Sequence, residues 1–331
     1  MTSPLRRGVP VVIACFVAMV GAVFAAPFIG STSLAFARVF STSIPFGDNV
    51  DAQIFFVARL PRAVAAALVG GTLAAAGVVF QGLLRNPLAT PYTLGVSAGA
   101  SLGAMVAITF GAGWAVGGIA SASLAGAFLA VLIVYALAAA RHRGLSTTVL
   151  LLAGVTLNAF FSALILFVQY LSDFSQTFRA LRWLMGDLDV ASYSAILYAL
   201  PLVAIAFAAF AWLARPLNLM SAGSDAAGTR GVHVDRVQRV AFFSASLATG
   251  AAVSVGGPIG FVGIIVPHLI RLLVGADHRL VLPASIFFGA AFLVMCDAAA
   301  RTVLAPIELP VGIITAVIGG PFFLWLLITR R

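Results

Sequence analysis

Residues 59–91 read RLPRAVAAALVGGTLAAAGVVFQGLLRNPLATP. Between Arg62 and Arg85 no side chain ionises, and residues 63–83 are Ala, Gly, Val, Leu and Phe with one Thr and one Gln. At about 1.5 Å per helical residue this run crosses the roughly 30 Å hydrocarbon core of a bilayer. Its glycines and alanines let helices approach closely where no hydrophobic effect drives association. The run ends at Asn86-Pro87 and Thr90-Pro91, where proline removes a backbone donor.

Similar runs recur from end to end. A first span follows Arg6-Arg7 and reaches about Ile29. Further spans fall at 63–83, 93–110, 115–140, 146–171, 191–213, 238–255, 259–273, 282–300 and 310–328. The first run also fits a signal peptide ending near Ala25-Ala26, but its length and the spans behind it favour an uncleaved helix. The expected fold is all-α: one polytopic domain over residues 1–331 with about ten transmembrane helices.

Composition agrees. Of 331 residues, 62% are hydrophobic and 9% charged, against about 25% charged in a soluble domain. So few charges cannot cover a soluble globule. That argues against a cytoplasmic enzyme, a nucleic-acid-binding domain and a disordered scaffold. The net charge of +9 comes from arginine, with no lysine in the chain. With the N-terminus inside, Arg38, Arg59, Arg62, Arg179, Arg182 and Arg301 fall outside, and the other 13 of the 19 basic residues fall inside. That is the direction of the positive-inside rule, and both termini are then cytoplasmic. A weak internal echo relates Arg59–Ala104 to Arg236–Ala290, entering from opposite sides as an inverted repeat would.

Some chemistries lack their residues. A Walker-type nucleotide site needs Lys. The one Glu is Glu308, and His142, His233, His268 and His278 show no ligand spacing, so no bound metal or cofactor is expected. Gly95-Val96-Ser97-Ala98-Gly99 fits the elbow of serine hydrolases, but no strand precedes it and no His is near; a helix start is the better reading. Asp297 sits four residues before Arg301, on one helix face. A charge at membrane depth costs about 2.5–3.5 kcal/mol on insertion scales, so this pair is either structural or part of a pathway. Gln81–Pro91 and Gly256–His268 are Gly- and Pro-rich breaks, either pathway walls or tight turns. Leu217–Asp235 is a polar connector, either a plain loop or one or two short docking helices.

Together these residues resemble the permease subunits of type II ABC importers, which take up ferric siderophores, heme and cobalamin. The resemblance covers nearly the whole chain. It rests on Arg59-Leu60-Pro61-Arg62, Asn86-Pro87-Leu88-Ala89, Leu94-Gly95-Val96-Ser97, Leu151-Leu152-Ala153-Gly154-Val155 and Trp183-Leu184-Met185-Gly186. It continues with Gly260-Phe261-Val262-Gly263, Pro267-His268-Leu269-Ile270-Arg271 and Glu308-Leu309-Pro310-Val311-Gly312. It implies ten helices in two inverted-repeat halves and a homodimer in the lipid of the cell inner membrane. It also implies two separate ATP-binding cassette subunits that use the ATP, and a periplasmic substrate-binding protein.

The resemblance assigns roles as well. Arg59, Arg62 and Arg301 would be exposed docking points for acidic residues of the binding protein. The segment 217–235, with Leu217, Ser221, Gly223, Ser224, Asp225 and Arg230, would couple to the ATPase. Gly223-Ser224 stands there where the family often has Gly-Glu. The cytoplasmic gate would fall at Ser146, Thr147 and Thr148. The implied function is import of an iron chelate, ferric siderophore or heme, with cobalamin as the alternative cargo. No His near the outer half offers heme an axial ligand. An ion-coupled secondary transporter centred on Asp297 is the rival from another class, although a proton relay normally uses more acids and histidines than this chain has.

Overall fold

The computed structural model describes residues 4–111, 118–140, 146–189 and 193–329. Helix α1 spans Pro4–Ala25 and ends in a 3-10 turn at Ala26–Phe28. A single turn, α2, follows at Phe36–Val39. Helix α3 (Val50–Gln53) is capped by Asn49, whose side chain accepts from the Ala52 N–H at 3.1 Å. It runs through a π-turn at Ile54–Arg59 into α4 (Leu60–Leu84), giving an unbroken Val50–Leu84 helix of 35 residues. The π-turn lies just before Pro61, where a regular turn would meet the proline ring and lack its donor. The helix therefore begins well before the 63–83 span read from sequence, and Asp51 lies in its first turn.

After a 3-10 turn at Pro91–Leu94 come α5 (Val96–Phe110), α6 (Gly118–Ala139), α7 (Thr147–Tyr170) and α8 (Phe174–Leu184). They are followed by α9 (Tyr193–Met220), α10 (Ser224–Gly228), α11 (Val234–Gly256), α12 (Val262–Val274), α13 (His278–Ala300) and α14 (Val311–Thr329). Among the described residues, seven helices are long and apolar enough to cross a membrane, and three shorter apolar ones lie at α5, α12 and α14. Together these match the ten spans expected. The short helix α5 follows the first Gly/Pro break, and α12 begins within the second, at Val262, with Pro267 inside it. Those breaks pack on one another: Gln81 Nε2 donates to Gly263 O at 3.0 Å, and the Tyr92 hydroxyl donates to Ile259 O. Protein thus satisfies irregular backbone at depth, as a bilayer requires.

Helix α4 is the centre of the bundle: 83% of its apolar window is buried, against 17% for α1. Small residues place it there. A Cβ on Gly70 would overlap Gly289 O of α13, and one on Gly77 would overlap Gly263 O of α12. A second seam joins α5 and α6, where Gly99, Gly103 and Gly126 sit against each other's backbone. Close backbone approach supplies the packing that water would otherwise drive.

Helix α8 is an element the span reading passed over. Asp173 and Gln176 close a capping box, with Asp173 Oδ1 accepting from Gln176 N at 2.7 Å. Gln176 Nε2 then reaches Thr109 O at 3.0 Å and ties α8 to the end of α5.

The glycine seams are directly testable. Gly77→Leu should lower the thermal stability of the purified protein by an overpacking cost of at least about 1–3 kcal/mol. Gly228→Leu, with nothing within 4 Å of its Cβ position, should leave the melting curve near that of the wild type.

Candidate functional site

The two ends of α4 carry two polar clusters. At the N-terminal end, Arg59 and Arg62 meet Asp297 and Arg301 from the end of α13. Arg62 Nε donates to Asp297 Oδ1 at 2.8 Å. Its Nη1 donates to Glu308 Oε2 at 2.6 Å and to Asp189 Oδ1 at 3.1 Å. Arg301 Nε lies 3.2 Å from Asp297 Oδ2, so the i, i+4 pair forms as its spacing predicts. Arg182 of α8 extends the network, with Nη2 at 2.8 Å from Asp187 Oδ2 and 3.0 Å from Asp189 Oδ2.

The resemblance makes Arg59, Arg62 and Arg301 separate, exposed docking points; in this structure they lie together at one end of α4 and are covered. Arg59, Arg62 and Arg301 are only 8%, 5% and 2% exposed. The physical reason is partner supply. Asp297 is fully buried between two guanidiniums. The last carbonyls of the first helical segment add to the shell: Arg301 Nη2 donates to Ala26 O at 3.1 Å and Arg59 Nη1 to Pro27 O at 3.1 Å. Arg59 Nη2 also donates to Thr32 O at 2.8 Å. Carbonyls at a helix C-terminus lack intrahelical partners and carry partial negative charge, which suits buried cations.

At the other end of α4, Arg85 caps the helix in the left-handed region at φ 48. Its guanidinium bonds the Ser224 hydroxyl, tying α4 to α10. Of the coupling residues, Ser221, Asp225 and Arg230 are exposed. Gly223 has φ 116 at the start of α10, a conformation that favours glycine. Leu217 differs from the polar residues that follow it: it is fully buried in the last turn of α9, packed in the core. The sequence also concealed a staple behind this segment. Asn218 Nδ2 donates to Asp277 Oδ1 at 2.6 Å, and Asn218 Oδ1 accepts from the His278 N–H at 2.8 Å. Asp277 caps α13, and the adjacent Arg279 guanidinium holds its carboxyl at about 2.

The expected gate residues lie at the start of α7. Ser146 caps it, Thr147 is half-buried and Thr148 exposed. Residues 141–145, which precede them, lie outside the described residues. Ser97 is the second residue of α5, behind a 3-10 turn and no strand. A cavity of about 500 Å³ opens between α5, α7 and α8, lined by Tyr92, Ser97, Ser101, Asn158, Ser162 and Gln169 among apolar neighbours. None of these lining residues stands out as a site in the sequence. The visible signal was polar residues recurring at helical spacing on an apolar span.

Comparison with known proteins follows the same outline. The model of the FecCD transport family matches residues 17–329. The cobalamin import system permease of Halobacterium salinarum is 43% identical, over 90% of this chain and 79% of that one. The hemin transport system permease of Yersinia pestis is 38% identical, over 91% and 90%. The iron(3+)-hydroxamate import system permease of Bacillus subtilis is 38% identical, over 83% and 71%. A solved inward-facing structure described as a metal-chelate-type ABC transporter superposes with a TM-score of 0.84 at 30% identity, covering 97% of this chain and 99% of that one. A multi-pass helical bundle with polar clusters at the two ends of its central helix, matched along nearly its whole length, belongs to the FecCD transport family of ABC importer permeases.

Proposed function

We propose that this chain is the membrane subunit of an ATP-driven importer that carries an iron chelate, ferric siderophore or heme, from periplasm to cytoplasm. It works as a homodimer in the inner membrane. Two ATP-binding cassette subunits bind the end that carries α10, and a substrate-binding protein docks on the Arg62 end. The observation that supports this reading most is the match to the hemin permease over 91% of this chain and 90% of that one, the fuller overlap of the two cargo classes. Cobalamin is the second cargo, favoured by the 43% identity with a cobalamin permease. No covalent chemistry is needed: alternate opening of the two ends moves the cargo. Helix α7 exposes Leu152, Val155, Phe160 and Leu166, an apolar face for lipid or for the second subunit.

The decisive assay is uptake into proteoliposomes holding the chain, its ATPase and a binding protein. Ferric trihydroxamate, hemin and cyanocobalamin are offered side by side. One of them should accumulate only with ATP and binding protein. Uptake that runs on a proton or sodium gradient without ATP would overturn the reading. Arg301→Glu is a poor control, since it sets a second carboxylate beside buried Asp297.

Asp297 separates the two transport classes. Asp297→Asn strips two buried guanidiniums of their shared carboxylate and should cost about 3–5 kcal/mol of stability, read as a lower melting temperature. Residual uptake in that variant should stay ATP-dependent and indifferent to a pH gradient. Loss of a proton-driven component would favour the ion-coupled carrier.

The exposed coupling positions should behave differently. Arg230→Glu should leave the melting curve of the permease unchanged and lower the amount of ATPase that co-purifies with it.

A further inference from the structure

The charges of the Arg62 network balance in number but not in space. Four arginines (Arg59, Arg62, Arg182, Arg301) face four acids (Asp187, Asp189, Asp297, Glu308). Three of the arginines are buried. Asp297, wedged between Arg62 and Arg301, is fully buried. Arg59 donates to carbonyls at Pro27 and Thr32. Arg301 Nη1 is buried without a hydrogen-bond partner. Asp297 Oδ2 is likewise buried without a hydrogen-bond partner, so the shortage is one of charge, three guanidiniums against one carboxylate, and unbalanced buried charge is costly.

The missing charge sits one layer out. The Glu308 and Asp189 side chains are 37% and 47% exposed, and both converge on Nη1 of Arg62. Each sits on irregular backbone, Glu308 in the connector before α14 and Asp189 after α8. Neither is anchored as Asp297 is, by a long helix. A single Nη1 shared by two half-exposed carboxylates can lose one and stay paired. Nor can an outside group reach Arg62, at 5% exposure, until at least one of them moves.

We propose that Glu308 and Asp189 are exchangeable caps on Arg62, displaced by an acidic side chain of the docking protein. The inference rests on the importer reading above. Docking is then a carboxylate-for-carboxylate exchange, so the buried guanidinium is never left bare. Displaced Asp189 retains Arg182, with which it already pairs at 3.0 Å. Exchange also makes docking weak and reversible, because the incoming acid gains only the difference between two ion pairs.

The test uses the complete permease–ATPase complex in nanodiscs. The probe is whichever binding protein supports uptake in the proteoliposome assay, titrated by surface plasmon resonance. Removing a cap removes a competitor. Glu308→Gln should therefore tighten binding about threefold to fivefold, the scale of a partly exposed ion pair. Asp189→Asn should act in the same direction and serves if Glu308→Gln does not assemble. Asp48→Asn removes an exposed acid at the same end that does not touch Arg62, and should change the affinity much less. Unchanged or weaker binding in both cap variants overturns the proposal, since a purely structural Glu308 predicts that sense. Equal tightening by Asp48→Asn also overturns it, since a general field would then suffice. Failure of every binding protein to support uptake by the wild type overturns the importer reading itself.

Discussion

The outer architecture depends on one carboxylate held between two guanidiniums. Asp297 Oδ1 lies 2.8 Å from Arg62 Nε and its Oδ2 lies 3.2 Å from Arg301 Nε. These charges are bearable inside an apolar bundle only because each has the other. The pair fixes the start of α4 against the end of α13, and Arg301 fastens both to the last turn after α1. Charge here sets the register of three helices. Glycine seams then bring the same helices into backbone contact along their length.

That arrangement makes α4 the element shared by both ends. Its first turn carries the ion network, its middle packs on α12 and α13, and its last residues hold Gln81 and Arg85. Gln81 fastens the neighbouring broken segment, and Arg85 fastens α10. Arg85 thus ties α10 to a helix that is buried for most of its length. A close-packed interior deforms little, so such a helix moves as a body or not at all.

Much of this was legible in the sequence, and what was not has identifiable causes. Uncharged runs of span length marked the ten apolar helices, because a bilayer leaves few alternatives to helix. The Asp297–Arg301 pair was legible because helical spacing is local. Its wider network was not: Arg62, Asp189, Glu308 and Asp297 come from four distant segments, and no periodicity connects them. Burial of Arg59, Arg62 and Arg301 was missed for a related reason. Spacing tells which face a side chain occupies, not what covers that face. Leu217 was assigned by position in a polar connector, although it continues the apolar face of α9 one turn beyond Leu213. Helix α8 went unread because it is too polar to span, although its capping box was present at Asp173 and Gln176. The start of the long helix at Val50 was obscured by Pro61, whose cost the π-turn absorbs.

In the proposed importer, events at the Arg62 end reach an ATPase bound at the α10 end through this chain. The most direct measurement is ATP hydrolysis by the reconstituted complex in vesicles of known orientation. The loaded binding protein is added to one side only. The account predicts faster hydrolysis when the binding protein faces the Arg62 end and ATP faces the α10 end, and no change when it is added to the opposite face. Hydrolysis indifferent to the binding protein, or stimulated from the α10 face, would contradict it.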